Sequence, residues 1–139
     1  IYNNKLISNL YYKELPKYVP KLKDILKINS NKIFLIEVKN IKSYDKFINI
    51  LNKYKSKKIY VMSFSYKIIN KLNTINRSYK IGILNYILNT NINMKKLDFV
   101  GILNSLINES IINQLENIEI FSYGLFKTKK YKEIFYIVD

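Results

Sequence analysis

The stretch Ile33 to Asn40 reads IFLIEVKN, four apolar residues followed by Glu37, Val38 and Lys39. Side chains of an extended chain alternate between two faces, so Leu35, Glu37 and Lys39 share one face. A run that is apolar on both faces until it reaches charge is typical of a strand in a parallel sheet covered on both sides. Such folds place ligands and catalytic groups at the carboxyl ends of their strands. The two charges therefore indicate a functional site, with a simple strand-edge ion pair as the alternative.

Strand-like and helix-like patterns alternate along the rest of the chain. Apolar runs recur about every 20 residues, a spacing typical of parallel βα units. These runs cover residues 59–62, 81–84, 99–103, 118–123 and 134–138. Ser43, Ser65 and Asn108 each precede a segment with helical spacing of apolar residues, and we expect them to cap those helices. Pro20 is predicted to be the first residue of a helix that precedes the Ile33 stretch.

Two architectures fit six such strands: an open doubly wound sheet and part of an eight-stranded β/α barrel. A whole barrel needs about 200 to 250 residues, and this chain has 139. The barrel interpretation therefore predicts a single partial domain that lacks two strands, with residues 1–19 as a leading loop and 20–139 as βα units. The first residue is Ile1 rather than Met, so we expect an excised piece of a longer chain.

The composition narrows the chemistry that is open to this chain. Its formal charge of +14 would fit a nucleic-acid or anionic-membrane partner. However, Arg77 is the only arginine and lysines occur in every segment, as expected from an A/T-rich genome. We therefore do not take the charge as evidence for either partner, and we predict no nucleic-acid partner. With no Cys and no His, catalysis by this chain must use carboxylates, Lys, Tyr or Ser. No apolar run approaches the roughly 20 residues that cross a bilayer.

Several motifs resemble one enzyme family. The segment VPKLKDILKINSNKIFLIEVKN, residues 19–40, is similar to the helix and the Ile-Glu-Ile-Lys strand of the glycerophosphodiester phosphodiesterases. Pro20, Leu22 and Leu26 match the helix motif, and Glu37 and Lys39 match the strand motif. The order and spacing of these and the following motifs over residues 10–139 carry the resemblance.

The later motifs follow in the family's order. Ser63 and Phe64 resemble its Ser-Phe pair, and the KIGILN stretch around Gly82 resembles its Leu-Gly-Leu-Leu strand. Gly82 should also let another group approach closely. Tyr123 stands where the family usually has Trp, and Asp139 where it has the last Asp of its terminal strand. Gly124 departs from the family's Thr, and EIFYIVD departs from its Gly-rich terminal strand.

The resemblance implies a TIM-type (β/α)8 barrel of which this chain supplies strands three to eight. It implies a phosphoric diester hydrolase of lipid metabolism that releases an alcohol and sn-glycerol 3-phosphate. Glu37 would bind a divalent metal ion, Ca²⁺ or Mg²⁺, Lys39 would be catalytic, and Ser63, Phe64 and Tyr123 would bind substrate. The family's two histidines would lie in the absent amino-terminal part, so we expect the isolated chain to be inactive. The implied location is cytoplasmic or membrane-associated through upstream segments, with no obligate protein partner.

Two other functions fit the same residues. Asp24, Glu37 and Lys39 match the loose acid, gap, Glu-x-Lys pattern of metal-dependent nucleases, although Asp24 falls in a predicted helix. A non-catalytic barrel remnant that binds a partner or phospholipid headgroups is the other alternative. Individual residues also have plain structural interpretations: a helix-capping turn for Ser63, packing for Tyr123, and surface positions for Asp24 and Asp45.

Overall fold

The computed structural model describes residues 5–73, 77–85, 96–124, 131–132 and 134–137. Six strands among these residues form one sheet. Its strands are β1 (Phe34–Glu37), β2 (Ile59–Ser63), β3 (Lys80–Asn85), β4 (Phe99–Leu103), β5 (Glu119–Tyr123) and β6 (Ile134–Tyr136). Every neighbouring pair is parallel, and the strands lie side by side in chain order. The predicted parallel βα arrangement is therefore confirmed.

The first strand is shorter than the stretch that predicted it. It ends at Glu37, although the amide of Val38 still donates to the carbonyl of Met62 at 2.7 Å. The last strand ends at Tyr136. The prediction for Asp139 concerns a position outside the described residues.

Four α-helices lie among the described residues, and none of them has the length and apolar character needed to cross a membrane. They are α1 (Leu22–Leu26), α2 (Tyr44–Lys53), α3 (Tyr66–Leu72) and α4 (Glu109–Gln114). Two predicted caps are confirmed. The Ser65 hydroxyl accepts a hydrogen bond from the amide of Ile68 at 3.4 Å, and the Asn108 side chain accepts one from the amide of Ile111 at 3.0 Å.

Of the other two predictions about helix starts, that for Ser43 is confirmed in position only, and that for Pro20 was wrong. Ser43 occupies the N-cap position of α2, but its side chain makes no capping hydrogen bond. Pro20 precedes α1 instead of starting it. Lys21 is the N-cap, with an extended backbone (φ −78°, ψ 146°), and its carbonyl accepts from the amides of Asp24 and Ile25. The helix therefore begins at Leu22.

The two faces of the sheet bury different side chains. One face packs against all four helices, in a cluster that includes Leu26, Leu51, Ile69, Val100 and Ile120. The other face carries a smaller cluster with no helix residue among the described ones, centred on Met62, Leu84, Phe99 and Phe121. A doubly wound sheet would carry helices on both faces and reverse its strand order. This sheet does neither within the described residues.

The sheet is curled so that its helix-free face is concave. Tyr60 of β2 and Phe121 of β5 lie three strand positions apart, about 14 Å in a flat sheet with the usual 4.8 Å strand spacing. Their ring centroids are 5.5 Å apart. Phe64 and Tyr123, at the ends of the same two strands, are 6.1 Å apart. The architecture is thus a curled, half-barrel α/β sheet, which is compatible with part of a TIM-type barrel.

Candidate functional site

The carboxyl ends of the strands bring four of the predicted site residues to one edge of the concave face. Glu37 and Lys39 follow β1, Phe64 follows β2, and Tyr123 ends β5. We call these four residues the mouth. A cleft of about 300 Å³ opens beside them, lined by Glu37, Val38, Lys39, Ser63, Phe64 and Ser65. Topology places these residues together because parallel strands end at the same edge of a sheet.

Glu37 and Lys39 form an ion pair that is long and solvated. The Lys39 Nζ lies 3.7 Å from the Glu37 Oε1, and the two side chains are 83% and 34% exposed. Exposed pairs of this kind contribute little to stability, because water screens them and long side chains lose entropy when they are held. Both charges therefore remain available to a ligand at low energetic cost.

Ser63 contributes to the mouth through the backbone. Its side chain is 1% exposed, on the helix-facing side of β2. The hydroxyl donates to the carbonyl of Val38 at 2.6 Å and accepts from the amide of Ser65 at 3.1 Å. These two bonds tie the end of β1 to the turn that starts α3. The proton of Ser63 is thus already donated, and the residue fixes the backbone between Glu37 and Lys39.

Phe64 and Tyr123 form an aromatic pair at the mouth. Their rings meet edge to face, with an interplanar angle of 86°. The Tyr123 hydroxyl donates to the carbonyl of Asn85 at 3.0 Å, which holds the ring over the ends of β3 and β5. Phe64 is 42% exposed and also lines the cleft. The pair presents an apolar wall next to the two charges.

The mouth offers one carboxylate to a metal ion. Within the described ranges, no group of three or more His, Cys, Asp or Glu side chains could hold a cation. Ca²⁺ takes 6–8 oxygen ligands, and Mg²⁺ takes six. Glu37 fits one of these positions. Asp24 lies in α1 and pairs with Lys27 at 3.6 Å, while Asp45 lies in the first turn of α2; neither joins Glu37 at the mouth.

A second charged cluster lies at the opposite end of the concave face and was not predicted. Lys80, the first residue of β3, forms an ion pair with Glu119, the first residue of β5. The Lys80 Nζ also lies 4.9 Å from the centroid of the Tyr60 ring. We call Tyr60, Lys80 and Glu119 the floor. Side chains alternate between the two faces along β3 and β5, so Lys80 shares the concave face with Gly82, and Glu119 shares it with Phe121. This alternation in the sequence could have predicted the floor.

The floor changes the ionisation of its lysine. Burial acts to lower the pKa of Lys80, but the hydrogen bonds and negative charge of Glu119, together with Tyr60, outweigh it and raise the pKa above its usual 10.5. Lys80 therefore keeps its positive charge, and its ion pair with Glu119, at neutral pH. Nearby, Arg77 contacts the Asp98 carboxylate at 3.0 Å, and that carboxylate accepts from the amide of Ile81 at 2.7 Å.

Comparison with known proteins does not identify the chain. No family model matches it, and neither the curated proteins nor the solved structures contain a match.

Proposed function

We propose that this chain forms the carboxyl-terminal part of the catalytic barrel of a metal-dependent glycerophosphodiester phosphodiesterase. Such an enzyme hydrolyses glycerophosphodiesters to an alcohol and sn-glycerol 3-phosphate. The observation that carries the proposal is the mouth itself: Glu37 and Lys39 stand at the end of a parallel strand, beside an aromatic wall. The motifs around Pro20, Glu37 and Ser63 support the same family.

The charges at the mouth suit a phosphodiester. The phosphate carries a negative charge, and hydrolysis adds charge to its oxygens, so the reaction needs positive charge beside it. Glu37 would hold a divalent cation, which when bound supplies charge neutralisation and a fixed orientation for the phosphate. Lys39 follows two residues later, about 7 Å along an extended chain. Its ammonium would bind a phosphate oxygen as a point charge.

The remaining roles follow from shape and from composition. Phe64 and Tyr123 would pack against the carbon skeleton of the glycerol or of the head group. Proton transfer to the leaving alcohol needs a general acid near neutral pKa. The sequence contains no histidine, and we assign that step to no residue of this chain. We therefore expect no turnover from the purified chain, and turnover free of contaminating enzyme would contradict this part of the proposal.

The sheet edges give this proposal a physical consequence. Among the described strands, β1 pairs only with β2 and β6 only with β5. In a closed barrel those two edges would be covered by the two further strands. Uncovered strand edges promote association between chains. We expect light scattering to detect self-association of the purified chain, and a stable, monodisperse monomer would argue against a partial barrel.

Binding of the product tests the mouth directly. The isotope-labelled chain would be titrated with sn-glycerol 3-phosphate, with and without Ca²⁺ or Mg²⁺, while backbone amide resonances are recorded. We expect shifts at Glu37, Lys39, Phe64 and Tyr123. Lys39→Met should weaken binding roughly tenfold, because a charge-assisted hydrogen bond to phosphate is lost. Glu37→Gln should remove the part of the affinity that depends on the cation.

Two controls separate this result from general attraction of anions to a basic chain. Lys42→Met removes an exposed lysine close in sequence that does not line the cleft, and it should leave the affinity unchanged. Glycerol without phosphate should not bind. Shifts that fall outside the mouth, or equal losses for Lys39→Met and Lys42→Met, would contradict the proposal.

The nuclease alternative needs a second acid beside Glu37. Its candidate, Asp24, lies in α1, where its carboxylate pairs with Lys27. That placement favours the phosphodiesterase over the nuclease.

A further inference from the structure

Exposed apolar side chains are concentrated in the segment before α1. Eight large hydrophobic residues in the described chain are exposed, and five of them fall within residues 6–18. They are Leu6, Ile7, Tyr11, Tyr12 and Tyr18, with exposures between 45% and 83%. Isolated exposed apolar residues are ordinary on protein surfaces, but a dense group marks an interaction surface.

The same segment is strongly basic. Residues 5–21 contain four lysines, all exposed, and one acid, Glu14. Two of the lysines lie over tyrosine rings: the Lys21 Nζ is 4.4 Å from the Tyr12 centroid, and the Lys13 Nζ is 6.0 Å from the Tyr11 centroid. Cationic and aromatic groups thus alternate over one short stretch of surface.

The segment is folded locally and lies outside both cores. It forms two 3-10 turns, Ile7–Asn9 and Tyr12–Glu14. The amide of Tyr11 donates to the Glu14 carboxylate at 2.7 Å, and the Tyr12 hydroxyl donates to the carbonyl of Val19 at 2.7 Å. Among the described residues, neither hydrophobic cluster of the sheet includes any side chain before Leu22. The apolar groups are therefore held in place while facing solvent.

We propose that residues 5–21 form a docking surface for an anionic membrane. Lysines are attracted to the negative surface potential of acidic lipids, and tyrosines prefer the headgroup level, where the ring is apolar and the hydroxyl stays wet. Leu6 and Ile7 complete the match by entering the acyl boundary. Single-stranded nucleic acid is the other polyanion that binds lysines and aromatic rings, but its bases stack on rings and leave aliphatic side chains without a role.

Vesicle flotation with the full chain tests this proposal. The chain should float with vesicles that contain phosphatidylserine, bind phosphatidylcholine vesicles far less, and lose binding at high salt. Replacing Lys5, Lys13 and Lys17 by Gln should weaken binding roughly 100-fold, since each lysine near the surface contributes about fivefold. Ile7→Ser and Tyr18→Ser should also weaken vesicle binding, while leaving its salt dependence unchanged.

The chain supplies matched controls for both kinds of change. Lys46, Lys53 and Lys55→Gln alters the net charge equally, but on and beside α2. Ile28→Ser removes an apolar side chain whose exposure, 54%, matches the 53% of Ile7. Both controls should bind as the unaltered chain does. Equal losses in the control and segment variants would overturn the proposal, as would selective binding of single-stranded RNA without vesicle binding. Neither outcome depends on whether the chain takes part in phosphodiester hydrolysis.

Discussion

The mouth and the floor each contain an ion pair between a lysine and a glutamate, but the two pairs lie in different environments. At the mouth, Glu37 and Lys39 are two residues apart at the end of β1, their charged atoms lie 3.7 Å apart, and the lysine is 83% exposed. At the floor, Lys80 and Glu119 come from β3 and β5, on either side of β4, and Lys80 also faces the Tyr60 ring. The first pair is local and solvated, whereas the second ties together parts of the chain that are 39 residues apart.

This difference separates a site for a ligand from a structural brace. A solvated pair between two nearby residues at one strand end constrains nothing beyond that strand end, so its charges can turn toward a bound anion or cation. A half-buried pair that bridges two strands helps to hold the curvature of the sheet. Breaking this pair also costs stability, because removal of either partner leaves the other charge poorly solvated. The floor should therefore respond to mutation in stability, and the mouth in binding.

The largest expected effect comes from the packing of the concave face around the floor. A Cβ added at Gly82 would meet the ring of Phe99 and would lie 2.6 Å from the Phe99 carbonyl oxygen. Gly82→Ala should therefore lower the free energy of unfolding by about 2 kcal/mol, the usual cost of overpacking. Thermal denaturation should show a decrease in Tm of about 6 °C.

Gly101→Ala is the matched control for this variant. A Cβ there would meet only the side chain of Leu84 at close range, with the carbonyl oxygen of Ile83 at 3.8 Å. Since the end of a leucine side chain can move and a backbone carbonyl cannot, the loss should stay below about 1 kcal/mol. Equal losses at the two glycines would show that the floor is not the more rigid part of the concave face.

The second effect compares the two lysines directly. Lys80→Met should lower the free energy of unfolding by about 1 kcal/mol, because Glu119 loses its partner while its Oε2 is already buried without a hydrogen bond. Lys39→Met should change it by less than about 0.5 kcal/mol, as expected for an exposed pair. Urea denaturation of both variants measures the difference. Equal destabilisation would remove the distinction between brace and ligand site.

The pH dependence of the floor sharpens the same contrast. The folded-state pKa of Lys80 lies above 10.5, so the contribution of the pair is present in full below that pH and is lost as the pH rises through the folded-state value. The gap in unfolding free energy between the unaltered chain and Lys80→Met should be constant around neutral pH. It should shrink above pH 10.5. A gap that stayed constant in strong alkali would contradict the assignment.

The strands and their direction could be predicted from the sequence because the four central strands, β2 to β5, are buried on both faces. Continuous apolar runs such as those around Val61 and Val100 are typical of strands that are covered on both sides. Their regular spacing, with helical patterns between them, favours parallel crossovers. The close approach at Gly82 was also predicted, and Phe99 is the group that fills it. The start of α1 was predicted two residues too early, at Pro20, because the extended conformation of Lys21 delays the first turn.

The site was predicted where alternation along one extended stretch, or the shared end of parallel strands, places its residues. Glu37 ends β1 and Lys39 follows two residues later, so the alternation of an extended chain predicted that they share one face. Phe64 and Tyr123 reach the mouth because parallel strands end together. The floor joins Lys80 to Glu119 across β4, and that pairing depends on register and curvature. The bond from the Ser63 hydroxyl to the Val38 carbonyl was not evident either, since it depends on how β1 and β2 are aligned.

The smallest expected effect concerns Asp24, an acid that belongs to neither the mouth nor the floor. Its exposed pair with Lys27 spans one helical turn, so Asp24→Ala should cost only about 0.3 kcal/mol of stability. The variant should bind sn-glycerol 3-phosphate as the unaltered chain does, because its carboxylate lies on α1 and does not line the cleft. A nuclease of the Glu-x-Lys type would instead lose metal-dependent DNA cleavage with this single change. Testing Asp24→Ala beside Glu37→Gln in both assays therefore separates the two functions: loss of cleavage in both variants would favour the nuclease, and loss of phosphate binding in Glu37→Gln alone would favour the phosphodiesterase.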